Sequence, residues 1–482
     1  MKKTLWTILL AFLPVVGFSQ ESFPAFPPQN VTAEMDFHQM LFQMGITLPD
    51  LPSRAVDPMR PEGSVPVNPA DPEGKYRYNG MEIGRSLFGL WDNYDDTEEG
   101  LYPGKEPWRV GTYTPLPLLE MNNGKKVRSV KDWWDLRRPE IMHDAQDAIY
   151  GYFPDNLPGV DFRTLEFSGR RSGIDFTQVN IVGQIDCSSY PDLKTTPLIN
   201  ATLRLPKDAK GPVPVMILIS WDMMLDIYWD IMAQNGWGLC LFNPSPLQPD
   251  NGASLTDYVI GLMNKGNWRK PSDWGSIGVW SWGISRLVDY LLTDPRVNPD
   301  GIGVGGHSRY GKTALYAMAC DQRIKIAFPS DAGSLGTKMN RRHWGQDLEN
   351  SAIDNEYHWM AGNFLKWCGP LYEDKYLPRK VELLPVDAHS IISLCAPRPV
   401  FLNGGTQSQW ADPYGMFLAG KGASEVYELL GGKGLVMEDA KPVVDKAYIG
   451  GDIGFRVHEG GHTDIPDWPA FFEFAKKYID FQ

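Results

Sequence analysis

From residue 212 onward, apolar residues gather in short, nearly unbroken runs: "PVPVMILIS", "GWGLCLFN", "GIGVGG", "IKIAFPS" and "RPVFLNGG". Runs of this length without alternation suit strands buried on both faces of a parallel sheet. Between them the period changes. In "SIGVWSWGISRLVDYLLTD" the residues Ile277, Trp280, Ile284, Leu287, Val288 and Leu291 recur at three-to-four spacing, which predicts a helix. Two earlier stretches, "TQVNIVGQID" and "LINATLRLP", alternate residue by residue and predict antiparallel strands at the sheet edge. Strands alternating with helices predict an α/β fold, a three-layer αβα sandwich around a mostly parallel central sheet with right-handed crossovers.

The first 20 residues, "MKKTLWTILLAFLPVVGFSQ", place two lysines before an apolar run and then small and polar residues. That is the pattern of a secretory signal, too short and wrongly flanked for a membrane span. Export to the periplasm or the exterior is therefore expected. Residues 21–124 are rich in Pro, Gly, Asp and aromatics with weak periodicity, and are read as an N-terminal extension wrapping or covering the catalytic domain. The aromatic fragment from Leu87 to Tyr113 offers an alternative role, lining a binding cleft. Regular patterning starts near "VKDWWDLRRPEIMHDAQDAIYG", so residues 125–482 are taken as the catalytic domain.

A hydrophobic content of 43% is ample for a large core, and a net charge of -13 argues against nucleic acid or anionic membranes as partners. Cys187, Cys240, Cys320, Cys368 and Cys395 form no C-x-x-C pair, which leaves room for one disulfide and for buried thiols acting as small hydrophobes.

Candidate chemistry centres on "GIGVGGHSRYGKTALYAMA", residues 301–319. Its opening fits G-x-G-x-x-G, but a dinucleotide loop needs a strand before the first glycine, and "TDPRVNPD" reads as a loop. The strand is instead Ile302 to Gly305, followed by a turn at Ser308 and then a helix. A serine at the apex of a strand-turn-helix is the arrangement of a hydrolase nucleophile. The usual second glycine is replaced by Tyr310, with Gly311 next, and the competing reading of Ser308 is a helix cap. Arg309 offers its backbone N–H and its guanidinium to a developing oxyanion. Lys312 lies one helical turn beyond Ser308. Two cations at a helix start, where the dipole disfavours them, point to an oxygen-rich ligand.

Near the far end, "HEGGHTD" spells H-E-x-x-H with His458 and His462. The zinc reading requires both imidazoles on one helical face, and the central Gly460-Gly461 pair opposes a helix. A loop histidine after a late strand fits the last place of a Ser–acid–His order, with His462 freer than His458. For the acid, Asp331 after "IKIAFPS" and Asp412 in "QWADP" both qualify, Asp412 also reading as a turn or helix cap.

These residues resemble the glucuronoyl esterases, carbohydrate esterase family 15, in their bacterial form. The resemblance lies in "NKGNWRKPSDWGSIGVWSWGISRLVDYLLTDPRVNPDGIGVGGHSRYGKTAL", "WWDLRRPEIMHDAQDAIYG", "RRHWGQ", "LPVDAHSIISLCAPRPVFL", "WADPYGMFL" and the terminal G-x-H. It covers roughly residues 125–482, and segment 83–115 looks like an insertion. It implies an α/β-hydrolase fold, no cofactor or metal, and hydrolysis of esters joining (4-O-methyl-)glucuronic acid of xylan to lignin alcohols. By position it implies Ser308 as nucleophile, His462 as general base, Arg309 on the oxyanion, Lys312 and Gln346 on the uronate, and Trp410 against the sugar ring. Of the family's two acid positions the first holds Asp331 and the second Ser408, so Asp331 is preferred and Asp412 is the fallback; Gln346 stands where many bacterial members carry Glu. Alternatives are another carbohydrate esterase, such as one acting on acetylxylan, and a non-catalytic glycan-binding relative. A monomer with no membrane span is expected.

Overall fold

Which strands are buried on two faces decides how this chain is laid out. The structure is a computed structural model describing residues 23–46, 65–66, 76–78, 81–83, 113–342, 344–346, 348–352, 356–367 and 381–480. The expected signal at 1–20, most of the 83–115 segment and Cys368 lie outside the described residues. Strands β1 (Val65–Pro66), β2 (Tyr76–Tyr78) and β3 (Met81–Ile83) form a small antiparallel sheet. The main sheet comprises β4 (Val160–Arg171), β5 (Ile174–Ile185), β6 (Leu198–Pro206), β7 (Val213–Ile219), β8 (Gly238–Asn243), β9 (Val297–His307), β10 (Ile326–Ser330), β11 (Val400–Gly405), β12 (Ala447–Tyr448) and β13 (Ile453–His458). Their order is β12-β13-β11-β10-β9-β7-β8-β6-β5-β4.

The neighbours β8, β7, β9, β10, β11 and β13 pair in parallel, and β6, β5, β4 and β12 add antiparallel flanks. The unbroken apolar runs are the parallel strands. In β7, Val215, Ile217 and Ile219 pack into one core, Met216 and Leu218 into the other. In β10, Ala327 faces one side and Ile326 and Phe328 the opposite side. A side-chain period of two thus supplies both layers from one run. The helices Ser276–Leu291, Arg309–Cys320, Ala388–Cys395 and Pro413–Leu429 cover one face, and Leu225–Ala233 and Trp468–Ala475 the other. Among the described residues no helix is long and apolar enough to cross a membrane.

Two local readings change. β9 starts at Val297, within the segment read as a loop. Its pairing with β7 slips there: Val213 opposes Val297 and Val215 opposes Ile302. The intervening residues loop out, which accommodates Pro299 and its missing N–H. The edge strand β4 had no apolar signal, because most of its side chains stay at least partly in solvent.

Part of the extension docks firmly. Thr32 Oγ1 caps the helix Ala33–Gln43 by accepting the Met35 N–H at 3.1 Å. The helix buries Phe37, Met40 and Leu41, and the Phe37 ring lies 5.0 Å from that of Tyr357. Gln43 Nε2 donates to the Arg269 carbonyl at 2.7 Å. Met40→Ala is expected to destabilise the protein by about 2–5 kcal/mol in a urea titration. A change within about 0.5 kcal/mol would mean that the helix rests loosely.

Candidate active site

The parallel strands deliver their carboxyl ends to one edge of the sheet: His307 pairs with Ser330, and Gly405 with His458. The residues that follow these strands therefore meet, where open α/β sheets bind ligands. Between β9 and the helix Arg309–Cys320 stands Ser308 alone, with φ 60° and ψ −125°. Its N–H donates to Ser330 O at 2.9 Å, and its carbonyl accepts from Lys312 N at 3.1 Å. So abrupt a turn brings backbone against backbone. A Cβ on Gly306 would lie 2.4 Å from Tyr310 O, and one on Gly311 2.7 Å from Ser330 O. Ser308 makes no side-chain cap hydrogen bond, which leaves its hydroxyl to the cavity above.

His462 sits on a bend after β13 and is 27% exposed, whereas His458 is 0% exposed. His462 Nδ1 lies 2.6 Å from Asp331 Oδ2, and Ser408 Oγ is 3.2 Å from the same nitrogen. Asp331 is fully buried at φ 43° directly after β10. Asp412 is engaged elsewhere: it caps the helix Pro413–Leu429 through Gly415 N at 2.9 Å and accepts from Arg342 Nε at 3.1 Å. His458 closes the strand instead of opening a helix, with Nδ1 2.7 Å from Asp467 Oδ2. The H-E-x-x-H letters therefore do not share a helical face. His307 packs on His462 with ring centroids 4.1 Å apart. Burial, with His462 adding to it, pushes His307 down to about 4, so this neighbour stays neutral.

Ser308, Arg309, Lys312, Gln346, Trp410 and His462 line one cavity of about 370 Å³. The Trp410 and His462 rings are 4.8 Å apart. Lys312 is buried, and its Nζ donates to Ala332 O at 2.6 Å. Arg309 Nη1 donates to Asp250 Oδ2 at 2.5 Å, and its guanidinium lies 4.9 Å from the Trp359 ring centre.

Asp250, Glu356, His358 and Trp359 were not anticipated. Asp250 accepts from His358 Nε2 at 2.8 Å and Trp359 Nε1 at 2.6 Å as well as from Arg309. Burial alone would raise its carboxyl, but the hydrogen bond and charge of His358, then Arg309 and Trp359, hold it well below the usual range. Glu356 lines the cavity and accepts from Ser351 Oγ at 3.1 Å. Burial raises the Glu356 carboxyl and lowers the Lys312 ammonium, each opposed by the charge of the other. Among the described residues, Gln346 Oε1 and Glu356 Oε1 are buried without a hydrogen-bond partner. The string "EYHW", with acid, imidazole and two aromatics in four residues, was the available signal.

A family model described as "Glucuronyl esterase, fungi" matches residues 192–431. Carbohydrate esterase MZ0003 of an unknown prokaryotic organism is 29% identical over 437 residues, 80% of this chain and 92% of its own. The 4-O-methyl-glucuronoyl methylesterase 1 of Wolfiporia cocos is 26% identical over 337 residues, 68% of this chain and 75% of its own. Among solved structures, a CE15 glucuronoyl esterase from Teredinibacter turnerae T7901 is 32% identical, covers 92% of this chain and 99% of its own, and superposes with a TM-score of 0.74. The chain belongs to the glucuronoyl esterases of carbohydrate esterase family 15.

This glucuronoyl esterase is thus a carboxylic ester hydrolase on the α/β-hydrolase fold, with its parallel strands and helical layers as the resemblance implied. Its elbow geometry gives a sharp expectation. Gly306→Ala drives a methyl into the Tyr310 carbonyl and should cost about 1–3 kcal/mol in chemical denaturation, with reduced ester turnover. A variant as stable and active as the parent would show that the turn is not sterically closed.

Proposed function

We propose that this glucuronoyl esterase cleaves esters of (4-O-methyl-)glucuronic acid by two-step acyl transfer at Ser308. The observation carrying the reading is that strained Ser308 opens into the same cavity as a histidine anchored 2.6 Å from a buried aspartate. With the His462 Nδ1 proton donated to Asp331, Nε2 keeps a lone pair to take the Ser308 proton. Ser308 Oγ attacks the ester carbonyl, and the carbonyl oxygen gathers negative charge. The Arg309 backbone N–H, at the positive end of its helix, and the Arg309 guanidinium held by Asp250 oppose that charge. Protonated His462 then gives its proton to the departing alcohol. Water, deprotonated by the same imidazole, hydrolyses the acyl-enzyme and restores Ser308.

The walls support the two halves of the substrate differently. Lys312, Gln346 and Glu356 supply donors and acceptors for sugar hydroxyls, and Trp410 a ring face. Unpaired buried acceptors such as Gln346 Oε1 and Glu356 Oε1 cost about 1–3 kcal/mol each, a penalty that hydroxyl donors would relieve. Ile219, Trp221, Met224 and Ile465 form an apolar wall, with Trp221 and Ile465 reaching solvent, which suits an aromatic alcohol of the lignin type. The name of the Wolfiporia cocos relative supports the same acyl group. The charged-then-apolar leader supports export to the periplasm or exterior, where glucuronoxylan is met.

The decisive assay compares release from benzyl glucuronate, the galacturonate ester and acetyl esters. Glucuronate should be preferred, and turnover of acetyl esters alone would overturn the substrate assignment. Ser308→Ala should abolish turnover. Arg309→Ala should lower kcat by about 100–1000-fold with a smaller change in KM; unchanged kcat would remove the guanidinium from the mechanism.

A further inference from the structure

His458 has no part in the acyl transfer above, yet it is fully buried beside the loop that carries the general base. Its Nδ1 lies 2.7 Å from Asp467 Oδ2 and its Nε2 3.0 Å from the Gly461 carbonyl. Both partners only accept. Asp467 also accepts the Asn403 amide at 2.5 Å and Arg456 Nη1 at 2.5 Å. Two acceptors facing the two ring nitrogens match the doubly protonated form of His458, whose charge the Asp467 carboxylate would balance.

We propose that His458, Asp467 and Asn403 are positioning residues, a buried brace that fixes His462 relative to Asp331. One end of the brace is the Gly461 carbonyl, in the peptide that leads directly into His462. Its other end is the Asp331 N–H, which Asn403 receives on both Oδ1 and its main-chain oxygen at 3.2 Å. Asp467 Oδ2 is shared by His458 and Asn403, so three side chains connect the two members of the dyad. The turn after β11 secures the same loop separately, since Gln407 N donates to Gly460 O at 2.7 Å and Gly460 N to Thr406 Oγ1 at 3.1 Å. None of the three lines the cavity, and the inference rests on His462 being the base.

The charges around His458 come from four elements. Asp467, before the helix Trp468–Ala475, is its ion partner; Asp331, after β10, adds favourable charge; Arg456, on its own strand, shares Asp467; and His307, at the end of β9, stays neutral. Burial opposes the His458 cation, but the Asp467 hydrogen bond and charge outweigh it and its pKa is raised. The sign follows. The brace is complete below the unfolded value of about 6.5 and weakens as pH climbs through the raised folded value, when only one N–H remains.

The test uses the full chain. Folded Asp467→Asn should lose about 10–100-fold in kcat on a glucuronate ester with KM within about twofold, and its alkaline limb should move. A folded variant with unchanged kcat, or with only KM altered, overturns the proposal. Where Asp467→Asn fails to fold, 15N-histidine NMR of the wild-type protein decides: two protonated ring nitrogens on His458 persisting above pH 6.5 support the brace, and one bare nitrogen at pH 6.5 or below overturns it. An active Ser308→Ala variant would defeat the acyl-transfer reading while leaving the proton count of His458 intact, so the two failures are distinguishable.

Discussion

A strand and a helix separated by a single residue impose a backbone conformation that L-amino acids avoid, and in this chain that residue is Ser308 at φ 60°. Such a conformation costs on the order of 1–3 kcal/mol and survives only where the surroundings over-determine it. Here they do: both backbone groups of Ser308 are hydrogen-bonded, and the following helix is buried along most of its length. Asp331, at φ 43° after the next strand, repeats the device. Two adjacent parallel strands thus end in strained residues, Ser308 lining the cavity and Asp331 buried beneath His462 at hydrogen-bond distance. The packing of β9 between β7 and β10 is what keeps both in place.

The cavity combines charge and apolar surface that would separate in a less constrained fold. Asp250 gathers Arg309, His358 and Trp359 around one carboxylate, so the arginine beside Ser308 is held without closing the pocket. Lys312 and Glu356 sit deeper, and each makes the burial of the other tolerable. The same lining includes Trp221, Met224 and Ile465. A substrate with a hydroxylated acyl half and an apolar alcohol half matches this division.

Much of the fold was legible because two-faced burial writes itself into unbroken apolar runs, as in β7, β8 and β11. β4 was not, since an exposed edge strand needs no such pattern. The sharp turn at Ser308 and the loop position of His462 were readable from spacing and from the glycines around them. The choice between Asp331 and Asp412 was not readable from local pattern, because both follow strands; only packing shows that Asp412 spends its oxygens on Gly415 and Arg342. Asp250 and Glu356 were missed for a related reason. Each comes from a loop without periodicity, and their partners lie up to 109 positions away along the chain. His458 looked like a rival base, and its burial against Asp467 gives it a different place.

In the proposed mechanism Ser308 is the nucleophile and His462 activates it. Treating the wild-type enzyme with a fluorophosphonate and mapping the adduct by peptide mass spectrometry tests this most directly. One adduct is expected, on Ser308, forming far more slowly in His462→Ala. An adduct on another residue, or ester hydrolysis that persists at full rate with Ser308 modified, would contradict it.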